Sequence, residues 1–143
     1  MLRKNSKQKG EVSEAVILAA LIKAGYSVCL PFGNNQRYDL IVDSGEKLLK
    51  IQCKTGRFEN GSVAFNSCSM NGFTYKRTSY KGDVDAIMVY CPFNNKCYFV
   101  PIVHCGVSTT YLRLDKVNNF SKNRKRKWAK DFEFNGILNC GEV

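Results

Sequence analysis

Three residues in the first half of the chain carry side chains that together could hydrolyse a phosphodiester bond. Asp39 supplies a carboxylate, Gln52 an amide oxygen and Lys54 an ammonium group. Oxygen ligands of this kind suit a hard divalent cation such as Mg²⁺, with Mn²⁺ as a substitute, and the backbone carbonyl of Cys53 adds a further oxygen. A lysine beside such a cation could orient the attacking water and offset the charge that develops on the phosphate.

These side chains meet only if residues 38–56, YDLIVDSGEKLLKIQCKTG, fold as an antiparallel hairpin. The turn is expected near Gly45 and Glu46. Symmetrical pairing about that turn sets Asp39 opposite Gln52, and Lys54 lies two residues further along the same face. The opposite face then carries apolar cross-strand pairs, Leu40 with Ile51 and Val42 with Leu49. A one-residue slip would spoil this division into two faces.

A further metal ligand could come from a helix near the start of the chain. Apolar residues recur at helical spacing over residues 9–24, and Gly25 supplies a stop. Glu11 and Glu14 lie about one turn apart on this helix, and their spacing leaves open which of them faces the hairpin. The alternative is that both glutamates are ordinary first-turn residues and that the aspartate and the lysine form a surface ion pair worth less than about 1 kcal/mol.

The rest of the chain reads mainly as strands separated by turn residues. The predicted strands cover residues 27–31, 38–43, 47–55, 62–67, 86–90 and 97–101, with 109–114 as a further candidate. One helix followed by many strands is typical of an α+β fold. A length of 143 residues predicts a single domain over 1–143, with a basic leader at 1–9 and a basic C-terminal segment at 116–130.

The charge of the chain points to a polyanionic partner. Twenty-two Lys and Arg stand against 12 Asp and Glu, for a formal net charge of +10. The excess is concentrated at the two ends, because residues 1–10 contain four cations and no carboxylate, and residues 116–143 contain seven cations and three carboxylates. Double-stranded DNA is the expected partner, and a solvated surface that aids solubility is the alternative.

Membrane insertion and secretion are not expected. The longest apolar run, residues 15–22, is far shorter than the roughly 20 residues that span a bilayer, and the N-terminus lacks a signal-peptide pattern. Seven cysteines without a CxxC pair, together with a single histidine, argue against a disulfide framework or a zinc site. Free thiols indicate a reducing compartment, so we expect a cytoplasmic or nucleoid-associated protein, or one inside an organelle.

Two groups of residues are candidates for DNA contact. Lys76 and Arg77 lie in the polar segment 66–81, where they could read base edges in a groove; a plain exposed hairpin loop is the alternative. The second group could lie along phosphates and comprises Lys122, Arg124, Lys125, Arg126, Lys127 and Lys130. For the basic leader, either phosphate contact or a solvated tail is consistent with the sequence.

The order of the candidate residues resembles a nuclease superfamily. A helical Glu14 is followed by Pro31 and Asp39 in PFGNNQRYD, and then by Gln52 and Lys54 in IQCKTG. This order resembles the PD-(D/E)XK nucleases. The likeness continues through residues 80–102 and 126–134, where the chain is similar to cyanobacterial-type homing endonucleases encoded in group I introns.

The resemblance implies a restriction-endonuclease-like core, in which the N-terminal helix packs against a mixed β-sheet. It implies that Asp39 and Gln52 bind the metal and that Lys54 assists the nucleophilic water. It also selects Glu14 as the contributor from the helix. Glutamine at position 52 departs from the general Asp or Glu of the superfamily, and the missing negative charge predicts weaker metal affinity and one principal Mg²⁺ per site.

The sequence therefore predicts a Mg²⁺-dependent endonuclease that cuts double-stranded DNA at a long site as a homo-oligomer, either a dimer or a tetramer. A Holliday-junction resolvase-type nuclease would share the hairpin site and the basic surface. A basic nucleic-acid-binding module with an inactive site is an alternative of another class, to which Gln52 gives weight. A structural protein without a nucleic-acid partner would require the basic ends to be incidental.

Overall fold

One long helix and ten strands form the described part, residues 5–115 and 126–143, of the computed structural model. The helix is α1 (Ser6–Lys23). The strands are β1 (Ser27–Cys29), β2 (Leu40–Asp43), β3 (Leu48–Thr55), β4 (Arg57–Glu59), β5 (Ser62–Asn66), β6 (Cys68–Met70), β7 (Arg77–Ser79), β8 (Ala86–Cys91), β9 (Lys96–Pro101) and β10 (Thr109–Arg113). Short 3-10 turns cover Ile102–His104, Ala129–Asp131 and Cys140–Glu142.

A mixed five-stranded sheet is the centre of the fold, with strand order β1-β2-β3-β8-β9. Strands β3 and β8 run parallel, and the other neighbours in this sheet run antiparallel. Strands β10, β5 and β4 form a smaller antiparallel sheet, and β6 pairs with β7 as a separate hairpin. With α1 packed against the mixed sheet, the predicted α+β, restriction-endonuclease-like fold is confirmed.

The hairpin of β2 and β3 has the predicted register. Leu40 pairs with Ile51 and Val42 with Leu49. Gly45, at φ 88°, forms the turn between the strands because it adopts the left-handed conformation at no steric cost. The four apolar side chains are at most 1% exposed. Burial of each is worth about 1.5–3 kcal/mol, which holds the polar residues of the same strands on the opposite face.

Each face of the central sheet has its own apolar core. On one face, Ile17 and Leu21 of α1 pack with the apolar side chains of β2 and β3 and with Met88 of β8. On the other face, Ile87 and Val89 of β8 pack with residues of β5, β9 and β10. Strand β8 is therefore buried on both sides, which explains its unbroken apolar sequence, AIMVYC.

Helix α1 begins earlier than the sequence analysis predicted. Asn5 is its N-cap and accepts a hydrogen bond from the N–H of Gln8, whose side chain in turn accepts one from the N–H of Asn5. This capping box satisfies two N–H groups at the helix start. Lys7 and Lys9, assigned to the basic leader, therefore lie in the first turns of the helix.

Several strand boundaries also differ from the prediction. Strand β1 ends at Cys29, two residues before Pro31, which lacks the N–H that would continue the ladder. Strand β4 and the hairpin of β6 and β7 were not predicted, because each strand has only three residues and the last two lie in a polar segment. All seven cysteines are free thiols, as expected. Within the described ranges, no helix is long and apolar enough to cross a bilayer.

Candidate active site

The carboxylate of Asp39 is held by the neighbouring strand. Asp39 immediately precedes β2, and its backbone N–H donates to the carbonyl of Ile51 at 2.8 Å. Its Oδ2 accepts two hydrogen bonds, from Nε2 of Gln52 at 2.7 Å and from the backbone N–H of Cys53 at 2.8 Å. The predicted pairing of Asp39 with Gln52 thus produces direct contact between their side chains, and no residue of the described ranges hydrogen-bonds to Asp39 Oδ1.

Two further oxygens, one from the backbone and one from a side chain, are candidate ligands near this carboxylate. The N–H and C=O of a strand residue point to the same neighbour, so the carbonyl of Cys53 points towards Asp39 as its N–H does. Nε2 of Gln52 also lies 3.5 Å from that carbonyl. Oε1 of Gln52 has no hydrogen-bond partner among residues 5–115 and 126–143. Because Nε2 is the amide atom that faces Asp39, the side-chain amide would have to rotate by about 180° for Oε1 to act as a ligand beside this carboxylate.

Helix α1 brings Glu14 to the same place. The hydroxyl of Ser13, which is 1% exposed, lies 2.6 Å from the hydroxyl of Thr55 at the end of β3. Ser13 immediately precedes Glu14, so this contact fixes how the helix is rotated against β3 at the position of Glu14. Glu14 and Asp39 both line a cavity of about 320 Å³, whose other lining residues come from the segment between β1 and Asp39. Glu11 does not line it.

The electrostatics of this cavity favour a cation. Burial raises the pKa of the Asp39 carboxyl; the N–H of Cys53, the charge of Lys54 and the amide of Gln52 act in the opposite direction and offset this only in part. The pKa of Glu14 is also raised, first by burial and then by the negative charges of Asp39 and Glu11. A carboxyl group whose pKa is raised by a neighbouring carboxylate would be stabilised in its ionised form by a cation bound between the two.

Lys54 is positioned from the other side. Its Nζ lies 3.0 Å from the hydroxyl of Tyr80, which is 5% exposed. The guanidinium of Arg37 stacks over the Tyr80 ring at 4.3 Å. Arg37 is in turn held by Asp83 at 3.2 Å and by the carbonyl of Ser79 at 2.9 Å. The tyrosine is therefore clamped, and with it the direction of the Lys54 ammonium.

The donor set fits a hard divalent cation. Glu14 and Asp39 supply carboxylate oxygens, Gln52 an amide oxygen and Cys53 a carbonyl oxygen, which are ligands that Mg²⁺ accepts. The described ranges contain no group of three or more His, Cys, Asp or Glu side chains that could hold a metal ion by themselves. The two neutral oxygens are therefore needed to complete a ligand set here.

The comparison with protein families shows to which family the chain belongs. The family model for PD-(D/E)XK endonucleases matches residues 4–135. This chain belongs to the PD-(D/E)XK endonuclease family. Among solved structures, its fold is similar to that of a bacterial homing endonuclease, I-Ssp6803I, with a TM-score of 0.68 and 21% sequence identity over 91% of this chain and 89% of that chain. No curated protein matches the sequence significantly.

The candidate DNA-binding residues of this PD-(D/E)XK endonuclease are spread over two regions. Lys76 and Arg77 are exposed, and Arg77 begins β7 of the β6–β7 hairpin. Arg126 and Lys127 are half-buried, whereas Lys130 is exposed in a 3-10 turn. The remaining candidates lie outside the described residues: Lys122, Arg124 and Lys125.

Sequence reasoning missed the residues that support the site from a distance. Tyr80 and Arg37 lie in segments that carry the family resemblance, but their types and spacing did not single them out, because Tyr80 meets Lys54, and Arg37 meets Tyr80, only through the tertiary fold. Ser13 carried a weak signal, as a polar residue on the apolar side of a predicted helix. Asp85 accepts a hydrogen bond from the N–H of Lys50 at 2.7 Å, which is a structural role.

Proposed function

We propose that this PD-(D/E)XK endonuclease is a Mg²⁺-dependent, site-specific enzyme that cuts double-stranded DNA, of the homing type. The observation that carries the proposal is that Glu14 and Asp39 line one cavity while Asp39 is bonded to the strand that bears Lys54. The similarity to a bacterial homing endonuclease supports the homing type.

Four residues of the chain would hold the metal. Glu14 and Asp39 would contribute charged oxygens, Gln52 its side-chain oxygen and Cys53 its backbone carbonyl. When bound, Mg²⁺ supplies Lewis-acid polarisation of the scissile phosphate and acidifies a bound water. With only two carboxylates in the set, we expect one principal metal ion per site and Mn²⁺ as a functional substitute.

Lys54 would act on the reacting groups directly. The Tyr80 hydroxyl occupies one direction around its ammonium, which leaves two of the three N–H groups to donate to the attacking water and to a phosphate oxygen. A fixed positive charge near the negative charge that develops on the phosphoryl oxygens stabilises the transition state. Asp39 is hydrogen-bonded to β3 through Oδ2. It would therefore hold the metal and the water in a fixed position relative to this lysine.

A double-strand break requires two cleavages, so we propose a homo-oligomer, either a dimer or a tetramer, whose two-fold symmetry matches that of the duplex. The excess of positive charge over the chain supports attraction to DNA phosphates. Light scattering on the purified protein, with and without DNA, would give the subunit number. A strictly monomeric protein on cleaved DNA would contradict this part of the proposal.

The catalytic assignment is tested on plasmid DNA carrying fragments of the host genome, with sequencing of the cut ends. We expect Asp39→Asn and Lys54→Met each to slow cleavage by about two orders of magnitude or more while DNA binding persists. Glu14→Gln should also slow it. Glu11→Gln is the matched control, since Glu11 does not line the cavity, and its rate should stay within about twofold of the parent rate.

Two outcomes would select other functions. Preference for a four-way junction over linear duplex would assign a resolvase-type activity. Tight, salt-sensitive DNA binding with no nicking in either Mg²⁺ or Mn²⁺ would assign a binding module without catalysis, which the neutral Gln52 makes a specific alternative. Cleavage retained by Asp39→Asn or Lys54→Met at the parent rate would refute the site.

A further inference from the structure

A second cavity lies beyond Lys54, where the β6–β7 hairpin meets the smaller sheet. Its volume is about 300 Å³, at the lower end of the roughly 300–1,000 Å³ typical of ligand pockets. Lys54 and Arg77 bring positive charge to its wall, and Ser108 and Thr109 bring hydroxyl groups. None of the described residues lining it is a carboxylate.

The donors in this cavity are free to bind. No hydrogen bond or ion pair within residues 5–115 and 126–143 engages the guanidinium of Arg77 or the side-chain hydroxyls of Ser108 and Thr109. Lys54 keeps two N–H groups beyond its bond to Tyr80. Unpaired cationic donors and hydroxyls that converge on one space are suited to an anion with several oxygens, such as a phosphodiester.

The walls of this cavity are fixed. Arg37 donates to the hydroxyl of Ser69 at 2.5 Å and to the backbone carbonyl of Ser79 at 2.9 Å, which ties both strands of the β6–β7 hairpin to the segment that leads into Asp39. The same guanidinium stacks on Tyr80, another lining residue. The charge of Arg37 is balanced by Asp83, which is not among the residues that line the cavity.

The two cavities are opposite in charge and are linked through β3, because Asp39 of the first is hydrogen-bonded to Gln52 and Cys53, the residues that precede Lys54 of the second. One is lined by Glu14 and Asp39 and the other by Lys54 and Arg77. Given the proposed nuclease function, on which this inference rests, we propose that the basic cavity binds the phosphate next to the one that is cut. It would fix the DNA strand so that the scissile phosphate lies between the metal and Lys54. Arg77 would then hold a phosphate instead of reading a base edge.

The proposal is tested without relying on cleavage. The full-length, metal-free protein labelled with ¹⁵N is titrated with inorganic phosphate and, separately, with thymidine 3′,5′-bisphosphate. We expect shifts in the amide signals of residues around the cavity, Ser69, Tyr80 and Thr109 among them. Arg77→Gln should weaken binding of the bisphosphate by about tenfold, because a charge-assisted hydrogen bond is lost. The side chain is exposed, so the variant should keep a well-dispersed spectrum.

Lys81→Gln is the matched control, because it removes one exposed positive charge just beyond β7 from a residue that does not line the cavity. Its affinity should stay within about twofold of the parent value. Shifts confined to other parts of the chain, or equal weakening by both variants, would overturn the proposal. Loss of cleavage activity alone would leave these binding results unchanged, so the nuclease assignment and this subsite can fail separately.

Discussion

The hydroxyl of Tyr80 lies 3.0 Å from Nζ of Lys54, although 26 residues separate them in the chain. The tyrosine is almost fully buried, and its ring is covered by the guanidinium of Arg37. A flexible lysine side chain thus gains a fixed direction from a rigid partner. The hydrogen-bond partner of Lys54 is a neutral hydroxyl and not a carboxylate, so the contact does not neutralise the lysine. Its positive charge can therefore act on a phosphate or a water molecule.

The substitution Tyr80→Phe should therefore slow cleavage more than it weakens DNA binding. A hydrogen bond to a charged group is lost while the ring and its packing remain, so we expect a single-turnover rate about three- to tenfold lower. DNA affinity should stay within about twofold. Tyr90→Phe is the control, since the Tyr90 hydroxyl bonds to Asn95 in another turn. Equal rates for the two variants would show that the contact does not position Lys54.

The contrast between Asp39 and Tyr80 shows what the sequence could predict. Asp39 and Gln52 lie in one hairpin, whose alternating apolar residues fix the register and so their contact. Local pattern was sufficient there, because a slip would have exposed the apolar face. Tyr80 reaches Lys54 through the packing of distant segments, and periodicity carries no information about such a contact.

The helix gives a third case, in which the signal was present and overlooked. Asn5 followed by Gln8 matches the spacing of a capping box, so the start of α1 could have been placed at Ser6. The choice between Glu11 and Glu14 differs, because it depends on how the helix rotates against β3. That rotation is fixed by the contact of Ser13 with Thr55, which the sequence did not reveal.

Replacing Gln52→Glu should tighten metal binding. The variant adds a third negative charge beside Asp39, where the present amide donates a hydrogen bond at 2.7 Å. We expect Mg²⁺ affinity, measured by calorimetry on DNA-free protein, to rise by about tenfold, because ligand charge governs affinity for hard cations. Gln8→Glu, which keeps the capping box, is the control and should not change the affinity. Unchanged affinity in Gln52→Glu would remove position 52 from the ligand set.

Replacing Asp39→Asn should stabilise the metal-free protein at neutral pH. The pKa of Asp39 is raised in the folded state by burial, so its ionised form costs stability above that pKa. The penalty vanishes as the pH falls below the unfolded value of about 3.9, where the carboxyl is neutral in both states. We therefore expect the variant to melt higher than the parent at pH 8 in EDTA, with the difference closing towards pH 4. Each kcal/mol corresponds to about 2–4 °C.

Magnesium should reverse this order. We expect the parent protein to gain stability from added Mg²⁺, and Asp39→Asn to gain little because it lacks the charge of the proposed ligand. Asp115→Asn, a change at an exposed carboxylate, serves as the control and should leave the melting temperature nearly unchanged at every pH. A melting difference between Asp39→Asn and the parent that is independent of pH would contradict the electrostatic explanation.

Replacing Gly56→Ala should destabilise the fold directly behind the site. A Cβ at this position would lie 2.8 Å from Cγ1 of Val63 and 2.9 Å from Cγ1 of Val89. Both valines are fully buried and have little rotamer freedom, so they cannot yield cheaply. We expect urea unfolding to show a loss of about 1–3 kcal/mol in the free energy of unfolding. Gly72→Ala is the control, because a Cβ there meets nothing within 4 Å.

A second substitution separates the steric clash from other effects of the alanine. Val63→Ala alone should destabilise the protein by leaving a cavity, but in combination with Gly56→Ala it removes one of the two valine methyl groups that the new Cβ would meet. The double variant should therefore be more stable than the sum of the two single losses predicts, by about 0.5–3 kcal/mol. Strict additivity would mean that the contact with Val63 is not the cause of the loss in Gly56→Ala.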